Sequence, residues 1–313
     1  MEMVKLVNSK TDYLVKNVIG KGGFASVFEA ESKYEDDKII YALKVINAFD
    51  QTPKYVKREK AINILVKDIR FVAKFYDFIE ISEKYKVFVL EKSDKTLDTL
   101  VREEIFKHKI QGLSELKAFF FFSQLVHAVQ TLHSINIVHR DLKPQNILLL
   151  NYMVKICDFT TAKVLDEASN IDFTSLGTAS FNSPEGFTSE NIIKSLIPVM
   201  DIYSLGIILY FMVFGVLPYK IKENDNPDFN FVHNSIQFEN KTKVVSKCFV
   251  DLFKKLIEID AQDRFSISDI RSSEWFVKNN KILLGVYPGS KNTVYDFKEC
   301  FSKIDEYEVK LNK

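Results

Sequence analysis

Cysteine is scarce in this sequence. The 313 residues include three, Cys157, Cys248 and Cys300, and an odd count without metal-ligand spacing is typical of free thiols. Free thiols indicate a reducing compartment, because disulfide frameworks belong to oxidising ones. The first thirteen residues, MEMVKLVNSKTDY, also lack the apolar core of a secretory signal. We therefore expect a cytoplasmic location, with the nucleus as a second reducing compartment.

Charge of one sign is also scarce, since 43 basic and 42 acidic side chains give a formal net charge of +1. No strong field surrounds such a chain, so its composition argues against nucleic acid or a membrane surface as a partner. Internal repeats, Ser/Pro-rich linkers and low-complexity tracts are absent from the sequence.

One long apolar stretch, VMDIYSLGIILYFMVFGVLPY at residues 199–219, is nearly long enough to span a bilayer. It contains an aspartate, a serine and a glycine, so we predict a buried helix of a large domain and no transmembrane segment. The stretch FFFFSQLVHAVQTLH, from Phe119, predicts a second deeply buried helix.

The pattern of the chain changes near residues 91–94. Before that point, β-type residues alternate over 12–41, and IIYALKVI, FVAKFYDFIE and KYKVFVLE predict three more strands. The segment TPKYVKREKAINILVK, with proline near its start, predicts a single helix among them. Helical patterns dominate afterwards. The sequence therefore predicts an α+β fold with a small β-rich lobe and a larger helical lobe.

Two features of the first lobe suit phosphate binding. IGKGGFASV places Gly20 and Gly22 between strands, where backbone N–H groups can approach phosphates; an ordinary glycine hairpin is the alternative. YALK places Lys44 in an apolar strand, where it needs an anionic partner unless it reaches the surface. Glu59 of the predicted helix could be that partner and hold Lys44 against nucleotide phosphates.

The segment HRDLKPQN, followed by DFT, is the strongest catalytic signal. Asp141 can accept the proton of a substrate hydroxyl, and Lys143 can neutralise a phosphoryl group in transfer. Asn146 and Asp158 offer the oxygen ligands that Mg²⁺ prefers.

In this order the motifs resemble those of eukaryotic protein kinases, over residues 12–278. The set also includes SPE at 183–185, DIYSLG at 201–206 and DAQDRF around Arg264, and LKPQN resembles the serine/threonine type. The resemblance implies a small lobe at 12–91, a large lobe at 95–278, an extension at 1–11 and a tail at 279–313.

The same resemblance implies an enzyme that uses ATP and Mg²⁺ to phosphorylate proteins on serine or threonine. Leu90 would be the gatekeeper, and Glu91 and Ser93 would offer hinge groups to adenine. The ring would lie among Ile19, Val27, Ala42 and Leu148, and Glu185 and Arg264 would form a structural ion pair.

A narrower resemblance joins TAKVLDEASNIDFTSLGTASFNSPE to the 3-phosphoinositide-dependent protein kinases, which activate other kinases of the AGC group. It implies that Thr174, or Ser175, is an activation-loop phosphosite whose phosphate meets Arg58, Arg140 and Lys163. Lys60 would border a docking groove for hydrophobic tails of substrate kinases. The alternative is that these cations are solvated surface charges.

Several positions depart from the family pattern. Ala25 replaces the third loop glycine, and Gln145 stands where basic-directed kinases carry glutamate. We expect no lipid-binding domain after the kinase region, because only about 35 residues follow it. Thr160 replaces the glycine after Asp158-Phe159, and a β-branched residue there restricts the backbone. The charged groups all survive, so we expect a live enzyme in which Thr160 tunes loop switching. The alternatives are a checkpoint-type or calcium/calmodulin-type kinase and a catalytically idle scaffold.

Overall fold

The computed structural model describes residues 13–22, 25–32, 39–47, 53–165, 178–187, 194–222, 227–240, 243–288 and 295–311. Its contacts divide the chain into two compact units. The small unit comprises Met1–Asp94 and Cys157–Ala162, and the large unit comprises Lys95–Ile156 and Lys163–Lys313. The sequence prediction had assigned residues 157–162 to the large lobe.

The small unit contains a five-stranded antiparallel sheet in the order β1-β2-β3-β5-β4. Its strands are β1 (Tyr13–Lys21), β2 (Ala25–Ser32), β3 (Ile40–Asn47), β4 (Phe75–Glu80) and β5 (Tyr85–Glu91). Helix α1 spans Pro53–Val66. The predicted strand FVAKFYDFIE is shorter than expected, because β4 begins at Phe75 and residues 69–72 form a turn instead.

Strand alternation divides the apolar residues of this sheet between its two faces. Tyr41, Leu43 and Val89 belong to one core cluster. Ile46 and Phe88 belong to another, which includes Val56 of α1. The even-numbered positions of β3 therefore face α1, and Lys44 is one of them.

The large unit is mainly helical. Its longer helices are α2 (Leu97–His108), α3 (Glu115–Ser134), α4 (Ile197–Phe214), α6 (Lys247–Leu256), α8 (Glu274–Val286) and α9 (Phe297–Leu311); α5 (Phe229–Asn234) and α7 (Ile267–Ser272) are short. Its short strands are β6 (Lys95–Thr96), β7 (Ile137–Val138), β8 (Ile147–Leu150), β9 (Met153–Ile156), β10 (Lys163–Val164), β11 (Glu239–Asn240) and β12 (Lys243–Val244). They pair as β6-β8-β9, β7-β10 and β11-β12.

Helices α3 and α4 carry the two apolar stretches singled out in the sequence. Of the described helices, α4 alone is long and apolar enough to cross a membrane, and 83% of it is buried. Gly206 lets α4 approach the end of α6 closely, since a Cβ atom there would lie 2.9 Å from Leu256 Cβ. Ser114 caps α3 by accepting a hydrogen bond from the Lys117 N–H. The packing identifies both as core helices.

Helix α9 packs on the large unit. Phe301 contacts Phe120 and Phe121 of α3, and its ring stacks on Tyr152 with centroids 4.5 Å apart. Lys117 of α3 donates to Asp305 at 2.6 Å. These contacts place α9, which belongs to the predicted tail at 279–313, against α3 and Tyr152.

Candidate functional site

In the small unit, the side chains of Lys44, Glu59, Asp158 and Thr160 form a charge cluster. The register of the sheet places Lys44 opposite Val27 on one side and Phe88 on the other. Glu59 lies on the buried face of α1, at helical spacing from Val56 and Asn63. Strand alternation and helix spacing therefore bring Lys44 and Glu59 together.

Lys44 Nζ donates to Glu59 Oε1 at 2.6 Å and to Asp158 Oδ1 at 2.8 Å. Burial works against its charge, but the two carboxylates outweigh burial and raise the pKa of Lys44. Lys44 is therefore an ammonium cation at neutral pH. Asp158 has a left-handed backbone, with φ of 66°. Thr160, the departure from the family pattern, does not have a positive φ.

The hydroxyl of Thr160 also belongs to this cluster. It accepts a hydrogen bond from Lys44 Nζ at 3.0 Å and lies 2.9 Å from Glu59 Oε2 and 2.6 Å from Asp158 Oδ1. The sequence predicts only a restricted backbone at this position, and it does not indicate these side-chain contacts.

The predicted adenine-binding residues of the small unit follow its strand register. Gly20 pairs with Val27, and Ala42 pairs with Leu90. The Glu91 N–H donates to the Lys74 carbonyl at 2.8 Å, and Lys92 Nζ donates to the Ser93 carbonyl at 3.1 Å. Ile19 of β1 is exposed, the Gly22 N–H donates to the Ala25 carbonyl at 2.8 Å, and Leu148 belongs to β8 of the large unit.

In the large unit, a second cluster surrounds Asp141. Its carboxylate accepts hydrogen bonds from Lys143 Nζ at 2.8 Å, from the Thr178 N–H at 2.9 Å and from Asn146 Nδ2 at 3.2 Å. Lys143 Nζ also donates to Thr178 Oγ1 at 2.7 Å. Thr178 was missed in the sequence, where only its position shortly before SPE could have indicated it.

Asp201 of α4 holds the loop that carries Asp141 through backbone hydrogen bonds. The fully buried Asp201 carboxylate accepts from the His139 and Arg140 N–H groups, both at 2.9 Å, and from the His133 ring at 2.9 Å. Burial opposes its ionisation, but these contacts prevail and lower the pKa of Asp201. Arg140 has φ of 63°, so the anchoring offsets an unfavourable backbone conformation.

The two predicted metal ligands have suitable chemistry. Asn146 uses its amide nitrogen to donate to the Asp141 carbonyl at 2.9 Å, so its amide oxygen is the atom suited to a cation. Asp158 supplies a carboxylate with 36% of its side chain exposed. Mg²⁺ binds through one or two such oxygens and keeps several waters, so both residues fit it.

The remaining predicted residues are placed as follows. Arg264 and Glu185 form two hydrogen bonds, at 2.6 and 2.9 Å, with the Arg264 side chain fully buried. Lys163 pairs with Val138, two residues before Arg140, and the Arg58 guanidinium lies over the Tyr55 ring. Lys60 Nζ lies 4.3 Å from the Phe78 ring centroid. Thr174 and Ser175 lie outside the described residues.

Comparison with known proteins gives a consistent set of similarities. The family described as "Protein kinase domain" matches residues 13–276. The serine/threonine-protein kinase ksg1 of Schizosaccharomyces pombe is 28% identical over 85% of this chain and 46% of its own length. The carbon catabolite-derepressing protein kinase of Saccharomyces cerevisiae is 27% identical, over 96% and 46%. Human ribosomal protein S6 kinase alpha-1 is 28% identical, over 86% and 36%. The chain spans less than half the length of these three relatives.

Proposed function

This chain belongs to the protein kinase domain family, with serine/threonine kinases among its relatives, and we propose that it transfers the γ-phosphoryl group of ATP to serine or threonine side chains of proteins. The observation that carries the proposal is the Asp141 cluster. Its carboxylate is oriented by Lys143, Asn146 and the Thr178 N–H, which leaves it pre-positioned for a substrate hydroxyl.

The proposed roles follow from the charges in each cluster. Asp141 accepts the hydrogen bond of the acceptor hydroxyl, orients its oxygen towards the γ-phosphorus and takes up the proton. Lys143 neutralises charge on the phosphoryl group in transfer. Lys44, held by Glu59, binds the nucleotide phosphates. Asn146 and Asp158 would each offer an oxygen ligand to Mg²⁺, which would neutralise phosphate charge when bound.

We further propose that the acceptors are activation segments of other kinases of the AGC group. This finer proposal rests on the similarity of residues 161–185 to the activation segment of the 3-phosphoinositide-dependent protein kinases. The contact of Lys60 with Phe78 is compatible with a mixed basic and aromatic docking groove on α1 and β4.

A second candidate is a kinase of another serine/threonine group. The carbon catabolite-derepressing kinases are as similar to this chain as ksg1 is, at 27–28% identity. Identity alone therefore favours neither group. An idle scaffold is a weaker candidate, because the charged groups that catalysis requires are present and hydrogen-bonded.

A transfer assay separates these candidates. The purified chain would be incubated with Mg²⁺ and labelled ATP, with three acceptors: an AGC-type activation-loop peptide, the same peptide tethered to a hydrophobic tail, and a generic basic peptide. Asp141→Asn is the control, because it keeps the size of the side chain and removes the proton acceptor.

The three outcomes have different meanings. Preference for the tethered peptide would support the AGC-directed proposal, and a Lys60→Ala variant should then lose that preference while keeping transfer to the untethered peptide. Transfer to the basic peptide alone would support the second candidate. Transfer no greater than that of Asp141→Asn, despite nucleotide binding, would leave the scaffold.

A further inference from the structure

Thr160 occupies a position at which the family pattern has glycine, and its hydroxyl lies among three charged side chains. Thr160 Oγ1 is 3.0 Å from Lys44 Nζ, 2.9 Å from Glu59 Oε2 and 2.6 Å from Asp158 Oδ1. Glycine has no group that could make any of these contacts.

The Thr160 hydroxyl adds one hydrogen-bond acceptor and one donor to the cluster. The Lys44 ammonium has three N–H donors, and the cluster supplies three acceptors: Glu59 Oε1, Asp158 Oδ1 and Thr160 Oγ1. The hydroxyl in turn has one proton to donate to a neighbouring carboxylate. Thr160 therefore completes the hydrogen bonding of the lysine and adds a donor for the acidic side chains.

These hydrogen bonds matter because the charged groups that they join are buried. Lys44 is 9% exposed and Glu59 is 1% exposed. A buried charged group that lacks a hydrogen-bond partner is costly, so the groups will rearrange if one partner is removed. The strained backbone conformation nearby is at Asp158, with φ of 66°, and not at Thr160. In this structure, Thr160 therefore differs from a glycine through its side-chain contacts.

We propose that Thr160 is a positioning residue whose hydroxyl holds the Lys44 ammonium against Glu59, in the orientation in which Lys44 binds nucleotide phosphates. The inference rests on the proposed function for the role of Lys44. Thr160 acts through Lys44 and Glu59, and it takes no part in proton transfer.

A set of substitutions at one position tests the hydroxyl. Thr160→Val keeps the shape and removes the hydroxyl, whereas Thr160→Ser keeps the hydroxyl and removes the methyl group. Thr160→Gly leaves space in which a water can replace the hydroxyl. Thr131→Val is the matched control, because it also removes a threonine hydrogen bond, to the His127 carbonyl, in another part of the chain.

The first readout is the affinity for ADP in the presence of EDTA, which reports phosphate binding without metal or transfer. We expect Thr160→Val to weaken it roughly ten- to hundredfold, the loss of a hydrogen bond to a charged group. Thr160→Ser should restore most of the affinity, and Thr160→Gly should lie between the two. Thr131→Val should match the wild type.

The second readout is the division of the effect between kinetic constants. Thr160→Val should lower kcat and raise the KM for ATP, while the KM for the acceptor peptide stays constant. The distinction arises because Lys44 binds the nucleotide and not the acceptor.

Several results would overturn the inference. It fails if Thr160→Val binds ADP as the wild type does, or if Thr160→Ser loses as much affinity as Thr160→Val. If Thr160→Val does not fold, the comparison of Ser with Gly decides in the same way. A wild type that binds ADP but transfers no phosphate would contradict the proposed function alone, and one that does not bind ADP would contradict both.

Discussion

Loss of the Asp201 carboxylate should disturb the loop that carries Asp141. It is fully buried and accepts backbone hydrogen bonds from His139 and Arg140. In Asp201→Asn one of these oxygens becomes an amide nitrogen, so a buried N–H donor loses its acceptor. We expect this variant to lose about 2–3 kcal/mol of unfolding free energy. Urea denaturation at neutral pH, with purified wild type beside it, measures the loss.

The loss of unfolding free energy in Asp201→Asn should depend on pH. Because the native pKa of Asp201 is below the ordinary 3.8, its carboxylate contributes stability above that pH. The contribution is lost as the pH falls through the native pKa, so the two proteins should converge below pH 3.8. Asp251→Asn is the control, since its exposed ion pair with Lys247 is screened by solvent and should contribute little to stability. A deficit that persists unchanged in acid would refute this role for the charge.

The sequence could predict some site residues better than others. The pairing of Lys44 with Glu59 can be predicted from strand alternation and helix spacing, because these fix the direction of each side chain. The hydroxyl contacts of Thr160 and the contacts of Thr178 with Asp141 depend on how distant segments pack. No local pattern contains that information.

At the scale of elements, the C-terminal helix α9 is a part of the large unit that the family match does not cover. It lies beyond residues 13–276, which the family matches. One face of α9 is buried on α3 and Tyr152, at Cys300, Phe301 and Ile304, and Lys117 pairs with Asp305 and Glu104. Tyr152 lies between β8 and β9, the hairpin that follows Asn146 and precedes Asp158. Helix α9 therefore packs against this hairpin within the large unit.

Phe301→Ala tests how much this helix contributes. Phe301 is 3% exposed and contacts three aromatic rings, so its truncation should cost about 3–5 kcal/mol of unfolding free energy. Val309→Ala, on the same helix but 56% exposed, should change stability by less than about 0.5 kcal/mol. Urea denaturation of both variants measures the difference. Equal stabilities would mean that α9 is not docked in solution.

The fold class was predictable, and the α+β arrangement of a β-rich unit and a helical unit is confirmed. The buried helices α3 and α4 were predictable because their sequences are long and apolar on most sides. The position of α9 was not, because an amphipathic helix shows that one face is buried but not which surface covers it. The start of β4 was misplaced because an apolar turn and a strand have similar composition.

For the whole molecule, the two units provide a test of cooperativity. The chain has one tryptophan, Trp275, which is fully buried in the large unit against Phe119, Phe122 and Phe249. Its fluorescence therefore reports the unfolding of that unit. Amide hydrogen exchange in β3 and β5 reports the small unit. Smaller units bury a smaller fraction of their surface, so we expect the small unit to open at lower urea concentration.

A pair of substitutions decides whether the units unfold separately. Ile46→Ala, in the core between the sheet and α1, should destabilise the small unit by about 2–5 kcal/mol. If the units are independent, exchange in β3 and β5 will quicken while the midpoint of the Trp275 transition stays constant; Phe301→Ala should do the reverse. If Ile46→Ala shifts both probes equally, the chain unfolds as one cooperative body. Stability measured by tryptophan fluorescence would then describe the small unit as well as the large one.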